Sequence, residues 1–340
     1  MKLLVFTQKV DKADPVLGFF HDWLTELSKI SESVIVICLE KGQMELPKNV
    51  TVYSLGKEEK ISKLLYVWNL YKYLYLIHGS YDKVFVHMNQ EYVLLAGLYW
   101  KVVGIPLYLW RNHPKGNFAT LLAILLSKKV FCTSAESFTA RFKKTIIMPA
   151  GIDTSVFHPV EGSVRKKYSV CMVGRISPIK HIEIALESIK ILVASGVQVS
   201  LSVIGSVPHK DVPYFEKLNT YIKQNNLSNC VTFLDSVPPS KLPEVYSGHE
   251  ICLNLTDSGS FDKTIVEASA CGAVPLVSNS SLSSLLPTAC VTERKPAIIA
   301  EAITKLFDPH MRVEIQDELS IFVELQSLNK LIEKLSVEMK

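Results

Sequence analysis

Tyr168-Ser-Val-Cys-Met-Val173-Gly174-Arg175-Ile-Ser-Pro-Ile-Lys180 decides the fold. Tyr168–Val173 reads as a buried strand that Gly174 ends. Ile182, Ala185, Leu186, Ile189, Leu192 and Val193 then recur at helical spacing and build one apolar face. Strand, glycine turn and helix in that order are the repeating unit of a parallel sheet.

The unit repeats downstream. Strands are expected at Gln198–Ile204, Cys230–Leu234, Glu250–Leu255 and Val274–Val277, and helices at Val212–Gln224, Lys241–Tyr246 and Lys263–Cys271. The first half alternates in the same way. Strands are expected at Lys2–Thr7, Ser33–Cys38, Val50–Ser54, Lys83–His87, Pro106–Arg111 and Lys128–Cys132. Helices fall near Gly18–Lys29, Ile61–Ile77, Tyr92–Val103, Asn117–Ser127 and Ala135–Phe142. Between the halves, Pro149, Gly151, Pro159 and Gly162 punctuate Met148–Ser163 as a linker. The expected architecture is therefore α/β, with two Rossmann-like doubly wound domains facing across a cleft, at residues 1–160 and 165–320. Leu325, Leu328, Leu331, Ile332 and Leu335 then space out as one long amphipathic helix over Phe322–Met339.

Composition narrows the class. At 48% hydrophobic and 21% charged, the 340 residues carry ample core for two domains and too little polarity for disorder. The seven cysteines form no C-x-x-C pair and several sit in apolar runs, which fits reduced thiols in a cytoplasmic protein. The best membrane-span candidate, Tyr92–Trp110, is interrupted by Lys101 and broken at Gly104-Ile-Pro106, so it reads as helix, turn and strand. Residues 1–160 hold 19 Lys/Arg against 13 Asp/Glu, and the remainder 18 against 20. The basic first half fits an anionic surface or acceptor, or simple solubility. No stacking motif accompanies the basic residues, which argues against nucleic acid. No G-x-G-x-x-G follows a strand, which argues against a nicotinamide enzyme.

Two segments can carry chemistry. Gly174-Arg175…Lys180 lies at a strand end before a helix, where a planar fork and a point charge, with the helix N–H groups, suit a diphosphate. A solvated basic turn is the alternative. Ser258-Gly259-Ser260-Phe261-Asp262 opens the next such helix, and Glu267 lies one turn inside it. A carboxylate there either accepts the two vicinal hydroxyls of a ribose or is an ordinary surface group. In the first half, Gly18, His21 and Asp22 follow the first strand, His87 and Asn89 the fourth, and Arg111, Asn112 and His113 the fifth. The strand ends at His87 and Arg111 are expected to face the cleft, with His113 a candidate for orienting the acceptor or carrying a proton. A structural histidine is the competing reading. His21 and Asp22 read rather as ordinary polar helix-start residues, with a cleft-facing position as the alternative. Glu136 reads as part of a helix cap.

Together these segments resemble the retaining glycosyltransferases of family 4, which have the GT-B architecture. The resemblance rests on Val173-Gly174-Arg175 with Lys180, and on Phe261 with Glu267-Ala-Ser-Ala-Cys271-Gly272-Ala-Val-Pro275. It also uses Val203-Ile-Gly205, Val231-Thr-Phe233-Leu234 and Gly151-Ile-Asp-Thr-Ser-Val-Phe-His-Pro159, and it spans roughly residues 148–278. It implies that Arg175 and Lys180 bind the donor diphosphate and stabilise the departing nucleoside diphosphate. Glu267 would hold the ribose, Gly205 with Phe233 and Leu234 would flank the base, and no metal or other cofactor would be needed. Residues 1–160 would be the acceptor side, and 322–340 would pack back onto them. The substrates implied are a nucleoside-diphosphate sugar and a glycan or lipid-linked acceptor. Two departures stand out. The family's first glutamate, eight residues before Glu267, is Gly259 here, leaving Ser258, Ser260 and Asp262 as nearby substitutes. The family's Gly-Gly loop after the first strand is reduced to Gly18. A catalytically inactive nucleotide-sugar-binding relative is thus the alternative to an active transferase. Lys128, Lys129, Arg141, Lys143 and Lys144, with the aromatic helix Leu64–Ile77, fit either peripheral contact with the inner membrane face or solvated lysines over a buried aromatic face. The second is the simpler reading.

Overall fold

Lys2–Val10 (β1) supplies five consecutive buried residues, the run expected of a central parallel strand. In the computed structural model, which describes residues 1–14, 16–258 and 261–340, it is an interior strand of a seven-stranded sheet. The chain divides into one unit of Met1–Gly151 with Leu328–Lys340, and another of Ile152–Ser327.

In the first unit, β1 is followed by α1 (Phe19–Lys29), β2 (Ser33–Lys41), β3 (Val50–Ser54), α2 (Lys63–Leu76), β4 (Lys83–His87), α3 (Glu91–Val102), β5 (Leu107–Trp110), α4 (Phe118–Leu126), β6 (Lys129–Cys132) and β7 (Thr145–Ile147). The sheet order is β3-β2-β1-β4-β5-β6-β7, all pairs parallel, so strand order reverses between β1 and β4. The helices α2, α3 and α4 bury Leu70, Leu74, Val93, Ala96, Trp100, Ala123 and Ile124 against one face of this sheet.

The second unit starts with β8 (Ser169–Val173) and runs through α5 (Ile182–Ala194), β9 (Ser200–Ile204), α6 (Val212–Gln224), β10 (Val231–Leu234), α7 (Leu242–Ser247), β11 (Ile251–Asn254), α8 (Lys263–Ala270) and β12 (Val274–Val277). Three helices then follow: α9 (Pro296–Leu306), α10 (Pro309–Glu314) and α11 (Gln316–Leu325). Its parallel sheet has the order β10-β9-β8-β11-β12. Both units are Rossmann-like, as the alternation predicts. Residues 92–110 form helix, turn and strand, with Gly104 at φ +76°. All seven cysteines are free thiols.

Two expected helices are corrected. Ala135–Phe142 is a short 3-10 turn, Phe138–Arg141, because Ser137 and Thr139 hydroxyls donate to the Arg111 carbonyl instead of leaving the backbone to pair with itself. The helix over Phe322–Met339 is broken at Gln326–Ser327. There the Ile152 N–H donates to the Gln326 carbonyl at 3.1 Å and Ile152 pairs with Ser327 in a parallel bridge. After the break, α12 (Leu328–Glu338) returns to the first unit and buries Leu328, Leu331, Ile332 and Leu335 with Trp23 and Leu27 of α1. Gly151 makes this fit. It sits at φ +72°, and a Cβ on it would lie 2.4 Å from Leu331 Cδ2, while its carbonyl accepts from Trp23 Nε1 at 3.1 Å.

All four tryptophans lie in the first unit, so their fluorescence reports its unfolding alone. Leu335→Ala empties a fully buried position, and urea denaturation followed by that fluorescence should show a loss of about 2–5 kcal/mol. An unchanged midpoint would mean that α12 is dispensable to the unit.

Candidate functional site

The second unit reverses strand order between β8 and β11, and an open parallel sheet offers its ligand crevice outside the carboxyl ends of such strands. Three strand-end loops are laced together there. The Gly174 N–H donates to the Ile204 carbonyl, Ile176 N–H to Ser206, and Gly205 N–H to Leu234. The loops approach so closely that a Cβ on Gly205 would lie 1.9 Å from the Gly174 carbonyl oxygen, which explains the glycine. Gly174, Arg175, Lys180, Ile182, Asn254 and Leu255 line a small cavity beside this lacing.

Of the two expected phosphate ligands, Arg175 is exposed, and its guanidinium has no hydrogen-bond or ion-pair partner among the described residues. Lys180 ends the 3-10 turn Pro178–Lys180, and its ammonium lies 2.5 Å from Asp262 Oδ2. Asp262 caps α8 and is fully engaged. Oδ2 also accepts from Asn254 Nδ2 at 2.9 Å and Thr256 Oγ1 at 3.3 Å, and Oδ1 accepts from Thr264 N and Oγ1. Burial alone would raise this carboxyl's pKa. The charge of Lys180 and the hydrogen bonds outweigh burial and hold it well below the usual carboxylate range. Asp262, proposed from sequence as a substitute sugar ligand, instead has its acceptor capacity committed to Lys180 and the loop. Ser258 is half-buried in the preceding turn. Gly259 and Ser260 lie outside the described residues.

Glu267 is half-buried in α8 and its Oε2 accepts from the Tyr246 hydroxyl at 3.1 Å. Loss of hydration pushes its carboxyl up to about 7, against the opposing pull of the Lys263 charge. Tyr246 is fully buried, and the sequence offered no signal for it because its contact with Glu267 crosses from α7 to α8. At the end of β10, Phe233 packs edge-on against Phe215 with ring centroids 5.0 Å apart, and Leu234 is exposed beside it. A second cluster, missed in the sequence, flanks Lys180. His181 has φ +49°, its Nε2 lies 3.1 Å from Asp257 Oδ1, and Arg294 Nη1 lies 2.5 Å from the same oxygen.

The first unit's expected residues are placed differently. His87 is a core residue: 1% exposed, stacked on Phe20 at 4.1 Å and 3.2 Å from Thr7 Oγ1, because its strand end is roofed by α1. This overturns its expected cleft-facing position. His21 is buried too and accepts from the Glu45 N–H. Gly18 has an ordinary helical φ of −54°. A Cβ there would lie 2.6 Å from the Asp14 carbonyl, so the loop's own packing accounts for it. His113 is exposed, with Nδ1 3.0 Å from Lys115 N, in a loop that Arg111 Nη2 ties down through the Lys115 carbonyl. Glu136 lies in a turn whose N–H bonds to Ser134 Oγ rather than in a helix cap. Among the described residues no group of three or more His, Cys, Asp or Glu is placed to hold a metal ion.

Two sheets of this order, each with its strand-end loops, are the components of the GT-B fold, and whole-chain comparison agrees. The Anabaena protein Alr3699/HepE, solved in complex with UDP, has a TM-score of 0.80 at 17% identity, covering 100% of this chain and 99% of that one. A glycosyltransferase from Rickettsia africae also scores 0.80, at 14% identity over 99% and 98% of the two chains. Residues 153–285, within the second unit, match the family model described as Glycosyl transferases group 1. D-inositol 3-phosphate glycosyltransferase of Acidothermus cellulolyticus is 26% identical over 191 residues, 50% of this chain and 42% of its own length. The corresponding enzyme of Corynebacterium jeikeium is 26% identical over 230 residues, 59% and 54%. The chain thus spans about half the length of the curated relatives it matches.

The raised pKa of Glu267 has a signed consequence. Its protonated form favours the fold fully below about 4.5, the unfolded value, and that contribution is lost as pH rises through about 7. Glu267→Gln should therefore melt several degrees higher than the parent at pH 8, with the difference vanishing near pH 4.5. A pH-independent difference in thermal unfolding would contradict the raised value.

Proposed function

We propose that this chain is a retaining hexosyltransferase that moves a sugar from a nucleoside diphosphate to a glycan or lipid-linked acceptor. The observation that carries this reading is that Arg175 and Lys180 line one cavity at the β8/β11 reversal, with Glu267 on the helix that Asp262 caps, inside the segment that matches the group 1 family model. As the bond between the anomeric carbon and the diphosphate oxygen breaks, negative charge grows on the leaving group. Arg175 meets it with an uncommitted planar fork and Lys180 with a point charge that Asp262 holds in place. In this reading the two cations take the part a divalent metal would otherwise play. Glu267 accepts the ribose hydroxyls, Gly205, Phe233 and Leu234 border the base, and His113 orients the acceptor hydroxyl. The complex of Alr3699/HepE with UDP makes UDP the first nucleotide to try.

Thermal-shift and calorimetric titrations with UDP-, GDP-, ADP- and CMP-sugars test the class and the donor together. Removing one charge-assisted contact costs about 1.5–3 kcal/mol, so Arg175→Ala and Lys180→Ala should each weaken nucleotide binding by roughly tenfold or more. Unchanged affinity in both variants would overturn the assignment. His113→Ala should lower turnover and leave nucleotide affinity intact; full turnover in that variant removes His113 from the site.

One feature favours a second reading, a nucleotide-sugar-binding relative without transfer activity. The family's first glutamate is replaced by Gly259, and the carboxylates on either side of it along the chain, Asp257 and Asp262, are already paired with Arg294 and Lys180. Tight UDP binding with no sugar released or transferred, across a panel of donors and acceptors, would select it.

A further inference from the structure

The three helices on one face of the first sheet do not present the polar exterior expected of a surface layer. Each buries one stripe against the sheet and turns a second apolar stripe outward. In α2, Leu64 is 83% exposed, Trp68 70% and Tyr75 88%, and they recur at helical spacing on the side opposite the buried Leu70 and Leu74. In α3, Val102 is 78% exposed and Leu98 is also outward. In α4, Phe118 is 80% exposed, with Leu125 two turns on. The helices are neighbours: the Tyr71 hydroxyl donates to the Leu95 carbonyl, and a Cβ on Gly97 of α3 would touch Leu126 of α4 at 3.2 Å. The sequence had favoured a buried aromatic face here, and the exposure of Trp68 and Tyr75 overturns that. Contiguous apolar surface of this kind marks a contact surface.

The charges say what it contacts. Residues 60–144 hold twelve Lys/Arg and three Asp/Glu. Within the three helices, Glu91 is the single carboxylate, against Lys63, Lys72 and Lys101. Lys128, Arg141 and Lys143 are exposed immediately beyond α4, and Lys144 caps its carboxyl end through the Ile124 and Ser127 carbonyls. A second copy of the same face would bring these cations against one another. An anionic bilayer would satisfy both the charge and the apolar stripes, with tryptophan and tyrosine at headgroup depth. Among the described residues no helix is long and apolar enough to cross a membrane, so the contact would lie in the interface plane.

We propose that the outer face of α2, α3 and α4 docks the first unit on an anionic lipid bilayer, with Trp68 and Tyr75 inserted among the headgroups and Lys72 and Lys101 held against them. This stands on exposure and charge, independently of whether the second unit transfers sugar.

Trp23, Trp100 and Trp110 are buried, so Trp68 is the one tryptophan that brominated lipid can quench by contact. The full chain should be quenched by vesicles containing about 30% anionic brominated phospholipid and not by zwitterionic ones, with salt reversing the effect. Trp68→Phe should abolish the quench while still co-sedimenting. Trp68→Ala with Tyr75→Ala, and separately Lys72→Glu with Lys101→Glu, should each lower the bound fraction by about tenfold or more at unchanged melting temperature. Absence of anionic-vesicle binding overturns the proposal, whether the chain is a monomer by light scattering or a dimer that Trp68→Ala dissociates. So does binding that the charge-reversed variant retains in full.

Discussion

Lys180 and Asp262, 82 residues apart in sequence, meet at 2.5 Å across the point where the second sheet reverses its strand order. This contact pins the turn after β8 to the start of α8. Asn254, Thr256 and Thr264 complete the carboxylate's shell, so the pair is buried without leaving its oxygens unpaired. Cutting one partner of such a pair strands a charge in low dielectric, a loss of about 3–5 kcal/mol. The pair fixes the Lys180 ammonium at the cavity and the start of the helix that carries Glu267. Gly174 and Gly205 are brought together separately, by backbone hydrogen bonds between the turns after β8 and β9, and Glu267 is one turn along the helix that Asp262 caps.

The same contact sets the two cations apart. Arg175 is exposed and uncommitted, whereas Lys180 is neutralised and held. A diphosphate arriving at the cavity would meet a free fork first and then share a lysine whose position is already set, which limits the side-chain entropy lost on binding. Glu267 is poised differently: burial raises its carboxyl to about 7, so its charged form becomes dominant only toward neutral pH. A proposed ribose acceptor with that property would bind hydroxyls more strongly as pH rises through the neutral range.

The first unit keeps few of its expected polar ligands free, although His113 stays exposed. His87, His21 and Gly18, three of its strand-end residues, are consumed by packing: a stacked core imidazole, a backbone acceptor and a tight loop. What remains outward is the apolar and basic exterior of α2, α3 and α4, a combination that suits a lipid surface and that solubility alone does not call for.

The sequence by itself determined the alternation of strands and helices, the glycine-punctuated turns and the segments bearing Arg175, Lys180 and Glu267. Those signals are local: side-chain periodicity, φ freedom at glycine and residue order survive in any context. Several findings came only with the tertiary structure. The helix over Phe322–Met339 breaks at Gln326–Ser327 because the chain there pairs with Ile152, a partner no local stop signal announces. Asp262 is a holder of Lys180 and not a free ligand, because the distance between them depends on the sheet order. Trp68 and Tyr75 face outward because α2 buries its other side, and helical spacing that is apolar all round cannot say which side that is. Periodicity shows that a residue lies on a face; packing decides what that face meets.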